Sequence, residues 1–343
     1  MEAEILFEIR GAIGLITLNR PKALNALNVP MVDAMREMLG EWAADDAVKA
    51  VVVQGAGEKS FCAGGDIRFL TESGKAGDGG AARFWGDEYR LNTEIKRYSK
   101  PYVALIDGIT MGGGVGISVH APYRVATERT LFAMPETGIG LFPDVGGGYF
   151  LPRLAGRMGY YLGLTGARLK AADTLHAGIA THYTASGNLP ALVDRLAAGE
   201  AVEAVLADFH ADPGPAPIDD HRADIDRLFT GETVEAVLAA LDADGGDFAK
   251  SQAATIRTKS PTSLKLTLRQ LQHGAGLEFE ANMAMEFRLG QFVLKGSDFY
   301  EGVRAVIVDK DQSPKWNPPS LADVDDAEIE KAFAPLPQGD WTP

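Results

Sequence analysis

Two short runs, residues 50–53 (Ala-Val-Val-Val) and Tyr102–Ile106, are apolar at every position. A strand that alternates polar and apolar residues keeps one face in water, whereas a strand without polar positions must be covered on both faces. That pattern belongs to parallel sheets flanked by helices. Leu131–Ala133 reads as a third, shorter strand of the same kind. Upstream, residues 4–9 alternate, Arg10-Gly11 turns, and residues 12–18 resume an apolar-rich strand, which predicts a hairpin. Asn28 with Pro30 opens a helical spacing carried by Met31, Met35, Met38, Leu39 and Trp42. Helical patterns recur at 159–164 and 171–177. Strand followed by helix, repeated over the first 185 residues, predicts an α/β fold with largely parallel strands.

After Ser186 the character changes. Residues 187–255 are acidic and Ala-rich, broken at Asp212-Pro213-Gly214-Pro215, and read as an insertion of two small helical pieces. Residues 256–318 form a helical C-terminal region, strongest over 261–308, and 319–343 a Pro-rich acidic tail. Residues 1–186 are then the core that carries the chemistry.

With 46% hydrophobic and 23% charged residues the chain is an ordinary globular one. Lys plus Arg number 33 against 47 Asp plus Glu, a net charge of −14 that would repel a phosphate backbone and argues against nucleic acid as partner. Cys62 is the only cysteine, so no intrachain disulfide can form and a reducing compartment fits. The acidic start Met-Glu-Ala-Glu does not resemble a signal peptide, and no apolar run approaches the roughly 20 residues that span a bilayer. The expectation is a cytoplasmic protein without membrane partners.

Three segments carry chemistry. Phe61-Cys62-Ala63-Gly64-Gly65-Asp66-Ile67 follows the strand at 50–53, and Met111-Gly112-Gly113-Gly114-Val115-Gly116 follows the strand at 102–106. Glycines at a strand-to-helix junction let the backbone approach a ligand and aim free N–H groups at developing negative charge. Either junction alone could be a tight turn. Two of them beyond parallel strands fit the crevice rule for α/β sheets and suggest a two-donor oxyanion hole. The third segment, Met134-Pro135-Glu136-Thr137-Gly138, sets one carboxylate between a proline and a glycine, available as base or nucleophile or simply as a loop salt bridge.

Asn19-Arg20-Pro21-Lys22-Ala23-Leu24-Asn25-Ala26-Leu27, the Cys-Ala-Gly-Gly-Asp-Ile segment and the Gly-rich run resemble, in order and spacing, the signature blocks of the crotonase (enoyl-CoA hydratase/isomerase) superfamily. The resemblance covers about residues 1–185 and implies a crotonase-like spiral of ββα units with a helical C-terminal region. The run from Met134 to Gly148, with Asp298-Phe299-Tyr300-Glu301-Gly302-Val303-Arg304-Ala305, Asp309-Lys310-Asp311 and Pro314-Lys315-Trp316, is similar to the 3-hydroxyisobutyryl-CoA hydrolase branch in particular. The insertion after 186 also suits that branch.

Carried over by position, the resemblance places the oxyanion amides on Gly65 and Gly113 and the hydratases' second glutamate on Glu136. The hydratases' first glutamate falls on Gly116, which has no carboxylate. Hydration of an enoyl thioester uses two carboxylates; a lone Glu136 beside a polarised thioester suits hydrolysis, as nucleophile or as general base on water. The resemblance brings Asp144 into the same pocket, to bind the substrate's 3-hydroxyl or to position Glu136 and water, although Asp144 could also cap the helix that follows. It lays CoA along Lys22, Ala23, Leu24, Ala63, Asp66 and Ile67, with Lys22 a phosphate contact or plain solvated surface, and it puts Glu88 in the acyl pocket. CoA is part of the substrate, so no separate cofactor is expected.

Cys62 has no histidine near it and reads as a small packed thiol; the six histidines show no metal-ligand spacing, and no metal is expected. The glycines match neither a P-loop nor a dinucleotide fingerprint. Rival readings are an enoyl-CoA hydratase or isomerase using Glu136 with Asp144, and a non-catalytic binding or RNA-associated protein of the same fold. A homo-oligomer is left open, because 261–308 could either join neighbouring copies or fold back over its own chain.

Overall fold

The computed structural model describes residues 3–337 and 339–343; Met1 and Glu2 of the acidic start and Gln338 of the tail lie outside the described residues. Contacts group the chain into two compact units, one of Met1–Asp66, Arg90–Ala133 and Arg168–Asp219, the other of Ile67–Tyr89, Met134–Ala167 and Asp220–Pro343. The units interleave along the chain and so follow packing rather than the linear order of the expected segments.

The first unit holds ten strands: β1 (Ile5–Arg10), β2 (Ile13–Leu18), β3 (Ala50–Gly55), β4 (Ser60–Cys62), β5 (Tyr102–Ile106), β6 (Ile109–Met111), β7 (Tyr123–Ala126), β8 (Leu131–Ala133), β9 (Leu169–Lys170) and β10 (His182–Tyr183). One sheet runs β1-β2-β3-β5-β7-β10, the other β4-β6-β8-β9. The β1–β2 hairpin is antiparallel, as its Arg10-Gly11 turn predicts, while β2, β3, β5, β7 and β10 are parallel. A long strand is followed three times by a short one that leaves for the second sheet, and then by a helical segment: the helix Ile67–Ala76 after β4 and the single turns Gly113–Gly116 after β6 and Glu136–Ile139 after β8. This is the ββα repeat that the resemblance implies. Strands β4 and β6 were not expected, since three residues including Ser60 or Thr110 show no period.

The all-apolar runs are covered on both faces. Ile13, Leu15, Ala50, Val52, Val103, Leu105 and Val125 pack against Leu192, Val193, Leu196, Val202, Val205 and Leu206 of the helices Leu189–Ala197 and Val202–Phe209. The opposite face, with Ile16, Leu18, Val51, Val53, Ala104 and Ile106, is equally buried. Each Val, Leu or Ile side chain here contributes about 1.5–3 kcal/mol by burial, so one charge on either face would unseat its strand. The expected helix is Val29–Ala44; Asn28 caps it by accepting from the Met31 N–H at 3.0 Å.

The second unit is helical. Residues 187–255, expected as two pieces, form five helices: the two just named in the first unit, and Arg222–Leu228, Val234–Asp244 and Asp247–Arg257 in the second. Alanine hides the apolar stripes here: Val234, Val237, Leu238 and Leu241 are the buried edge of a helix otherwise made of Ala, Asp and Glu. The helices Ile67–Ala76 and Gly80–Lys96 were also not expected, because their apolar positions are interleaved with Arg, Glu, Asp and Gly. Over 261–308 the expectation holds: Pro261–Gly274, Phe279–Val293 and Asp298–Val303 are helices, and a π-helical turn Arg304–Val308 closes the run.

Candidate active site

In the first unit, the two glycine junctions follow neighbouring parallel strands, β4 and β6. They approach closely: a Cβ on Gly114 would lie 2.1 Å from the Cys62 carbonyl oxygen, so only glycine fits there. Gly112 turns the chain with φ of 47° into Gly113–Gly116. The Cys62 loop is fixed from the other side, where the Leu27 N–H donates to Gly64 O and the Asp66 N–H to Leu27 O, each at 2.8 Å. The N–H groups of Gly65 and Gly113 donate to no acceptor among the described residues. Two free amides beyond adjacent strands are what an oxyanion requires.

The other first-unit residues are placed more loosely. Lys22 and Ala23 are exposed on the turn Pro21–Ala23, and Leu24 is half-buried in the left-handed region at φ 52°, followed by Asn25 at 57°. Asn25 is fully buried and pins this turn, its side chain donating to Ala56 O and Ser60 O and accepting from the Arg20 N–H. A cavity of about 500 Å³ opens beside it, lined by Lys22, Leu24, Gly57, Lys59 and Ser60 among others. Ala63 is half-buried, and Asp66 is engaged by Arg20 at 3.4 Å. Cys62 is a fully buried thiol, as expected, its Sγ donating to Gly64 O at 3.5 Å. Ile67 opens the helix Ile67–Ala76 and falls in the second unit.

The second unit collects the carboxylates. Glu136 starts the turn Glu136–Ile139 and is 5% exposed; its Oε2 has no hydrogen-bond partner, and it forms no ion pair among the described residues. The loop-salt-bridge alternative therefore falls. Burial, and next the charge of Asp144, push the Glu136 carboxyl well above its usual range. Asp144 is equally buried and accepts a hydrogen bond from the Tyr89 hydroxyl at 3.0 Å; burial raises it to about 7 against the lowering effect of that bond. Glu88, on Gly80–Lys96, has a buried unpartnered Oε1 and is raised well above the carboxylate norm by burial and then by Asp144. Of the three carboxylates singled out in the sequence, Asp144 thus raises the other two.

Asp144 does not cap the next helix. The residue that does so is Glu286, which no local signal identified: its Oε2 accepts from the Gly146 N–H at 2.7 Å and its Oε1 from the Gly148 N–H at 2.8 Å. Tyr89, Gln270 and Asn282 were also missed. Asn282 and Glu286, one turn apart among buried Met283, Leu289 and Val293, are the polar interruption of an apolar stripe that could have flagged this helix. The Asp298–Gly302 motif braces the Glu136 turn. A Cβ on Gly140 would lie 2.2 Å from the Asp298 backbone and one on Gly302 2.3 Å from that of Ile139. The Asp298 carboxylate in turn accepts from the Ser260 hydroxyl at 2.6 Å and the Asn317 N–H at 2.8 Å.

Among the described residues no group of three or more His, Cys, Asp or Glu is arranged to hold a metal ion, and no helix is long and apolar enough to cross a membrane.

The family model described as enoyl-CoA hydratase/isomerase matches residues 13–333. Curated relatives include the mitochondrial 3-hydroxyisobutyryl-CoA hydrolases of Xenopus tropicalis, 52% identical over 99% of this chain and 91% of that protein, and of Homo sapiens, 48% identical over 98% and 90%. Two solved structures are close: a carnitinyl-CoA dehydratase from Mycobacterium thermoresistibile (TM-score 0.94, 43% identity, 98% of each chain) and an enoyl-CoA hydratase from Rhodobacter sphaeroides (0.92, 38%, 99% of this chain and 100% of that one).

Proposed function

We propose, from the premise that this chain belongs to the enoyl-CoA hydratase/isomerase family, that it hydrolyses the thioester of 3-hydroxyisobutyryl-CoA to the free acid and CoA. The hydrolases above share more identity with this chain than the two structures titled dehydratase and hydratase. The observation that carries the choice is Gly116, a buried glycine whose N–H bonds Gly112 O at 3.1 Å where a hydratase would present its first glutamate. Without that carboxylate the site lacks the first of the two glutamates by which a hydratase adds water across a double bond.

In this reading the amides of Gly65 and Gly113 receive the thioester oxyanion. Glu136 attacks the thioester carbon, the C–S bond breaks, CoA leaves as thiol, and water opens the mixed anhydride to restore Glu136. The competing route has Glu136 take the proton of the attacking water; burial, which raises its carboxyl, makes it the stronger base once ionised. Asp144 and Glu88 receive the 3-hydroxyl. CoA runs along Lys22, Ala23, Leu24, Ala63, Asp66 and Ile67, with Lys22 toward a phosphate, and it enters as part of the substrate rather than as a cofactor. Short relatives such as 3-hydroxypropionyl-CoA are further substrates, and the pathway is valine breakdown.

The relatives are described as mitochondrial, which lends no support to the cytoplasmic expectation; for this chain we propose a reducing compartment, in keeping with the buried lone Cys62.

The test is to offer 3-hydroxyisobutyryl-CoA and crotonyl-CoA in parallel. Release of free thiol from the first is the expected outcome. Loss of enoyl-thioester absorbance from the second, with no thiol from the first, would establish the hydratase reading instead, and binding of CoA without turnover the non-catalytic one.

A further inference from the structure

We infer that Glu286 is the positioning residue of this site, holding the loop that presents Asp144, with Gln270 and Asn282 completing the holder. The inference deepens the hydrolase reading and rests on it.

Glu286 is fully buried on the helix Phe279–Val293, in a stripe otherwise made of Met283, Leu289 and Val293. A carboxylate in such a place is unfavourable unless its lone pairs are used. Here they are. Beyond the two backbone amides, Oε1 accepts from Asn282 Nδ2 at 2.8 Å and from Gln270 Nε2 at 3.1 Å. All four partners are donors and favour the acceptor-only carboxylate, against the burial that raises the group to about 8, and an amide in its place would set a donor against a donor. Gln270 Nε2 also donates to Pro143 O at 2.7 Å.

The loop is therefore gripped at Pro143 on one side of Asp144 and at Gly146 and Gly148 on the other. Between these grips the backbone is strained at Val145, whose φ is 50°, while Gly146 at 87° takes the same region freely. A β-branched residue in the left-handed region persists only where its surroundings over-determine it. The surroundings are built for contact. A Cβ on Gly274 would lie 1.9 Å from Gly148 O, and one on Gly148 2.6 Å from Asn282 Oδ1. With the loop held, the Asp144 side chain meets the Tyr89 hydroxyl at 3.0 Å. Glu286 thus acts on the reaction through Asp144 and is not itself a catalytic residue.

The competing view is that Glu286 only stabilises the short helix Gly147–Phe150. A double-mutant cycle separates the two. Glu286→Gln, measured under single-turnover conditions with enzyme in excess, is expected to lower the rate about tenfold to a hundredfold with KM changed less than about threefold, as a misplacement of about 1 Å would do. In an Asp144→Asn background the same change is expected to have no further effect, because the group it positions is already gone. An equal loss in both backgrounds, or no loss in either, overturns the inference. Asn282→Ala removes one donor to Glu286 and is expected to give a smaller loss, about threefold, that vanishes in the same background; it decides the matter if Glu286→Gln does not fold. The cycle is run with whichever acyl-CoA the wild type turns over. A wild type that releases no CoA from 3-hydroxyisobutyryl-CoA therefore defeats the hydrolase reading and leaves this test intact.

Discussion

The two units contribute opposite kinds of chemistry. The first offers fixed dipoles, the amides of Gly65 and Gly113, set by glycine turns beyond adjacent parallel strands. The second offers charge that can be gained or lost: Glu88, Glu136, Asp144 and Glu286 are all buried, and all are raised above the usual carboxylate range. Amides need only geometry and do not respond to pH. Carboxylates packed together respond to pH and to one another, because like charges in a dry interior cannot all ionise freely. Stability in the first unit comes from close backbone packing; in the second, part of it is given up to hold acids out of water.

Substitutions can break this contrast, and they are ordered here by expected effect. Glu136→Gln is expected to lower thiol release by about a thousandfold or more while CoA binding, read by calorimetry, stays close to wild type. Retention of most activity would remove Glu136 from the chemistry. Gly114→Ala pushes a methyl group against the Cys62 carbonyl and is expected to lower kcat about tenfold to a hundredfold, with a loss of stability from overpacking of about 1–3 kcal/mol that lowers Tm. An unchanged Tm would mean that the glycine junction is not tightly packed.

Asp144→Asn probes the second unit with the opposite sign. Burial raises the Asp144 carboxyl from 3.8 to about 7, so the folded state holds its proton more tightly than the unfolded chain. The stability from that proton is present below about pH 4 and lost as pH rises through about 7. The asparagine variant loses nothing with pH at this position. Its Tm is therefore expected to exceed that of wild type at pH 8 by about 5 °C, the gain shrinking to nothing near pH 4. A variant less stable than wild type at pH 8 would show that Asp144 is not held at a cost.

The same division explains what was legible in the sequence. Strand runs at 50–53 and 102–106 announce themselves because every residue is apolar, and the glycine runs at 64–65 and 112–114 mark turns even though the short strands before them do not show. Gly116 draws notice only through the resemblance, which sets it where the hydratases carry a glutamate. The Glu136 carboxyl, set between Pro135 and Gly138, stands out in the sequence, and its burial does not. Neither does the setting of Asp144. It depends on Tyr89, Gln270, Asn282 and Glu286, which come together only through helix packing, and three of these lie more than 120 residues beyond it. Local spacing carries no trace of such partners. Short elements fail for a related reason: β4 and β6 are strands because a neighbouring strand pairs with them, not because three residues prefer to be extended.

The most direct test of the account is the pH dependence of thiol release by wild type, Gly114→Ala and Asp144→Asn. Wild type is expected to gain activity with rising pH as Glu136 loses its proton. Gly114→Ala should run parallel below it, lower by one factor at every pH, since amides do not titrate. Burial, which mainly raises Glu136, stays in Asp144→Asn, but the added push of the Asp144 charge is gone, so the acid limb should move to lower pH. A displaced limb in Gly114→Ala, or an unmoved one in Asp144→Asn, would contradict the division between fixed dipoles and titrating carboxylates.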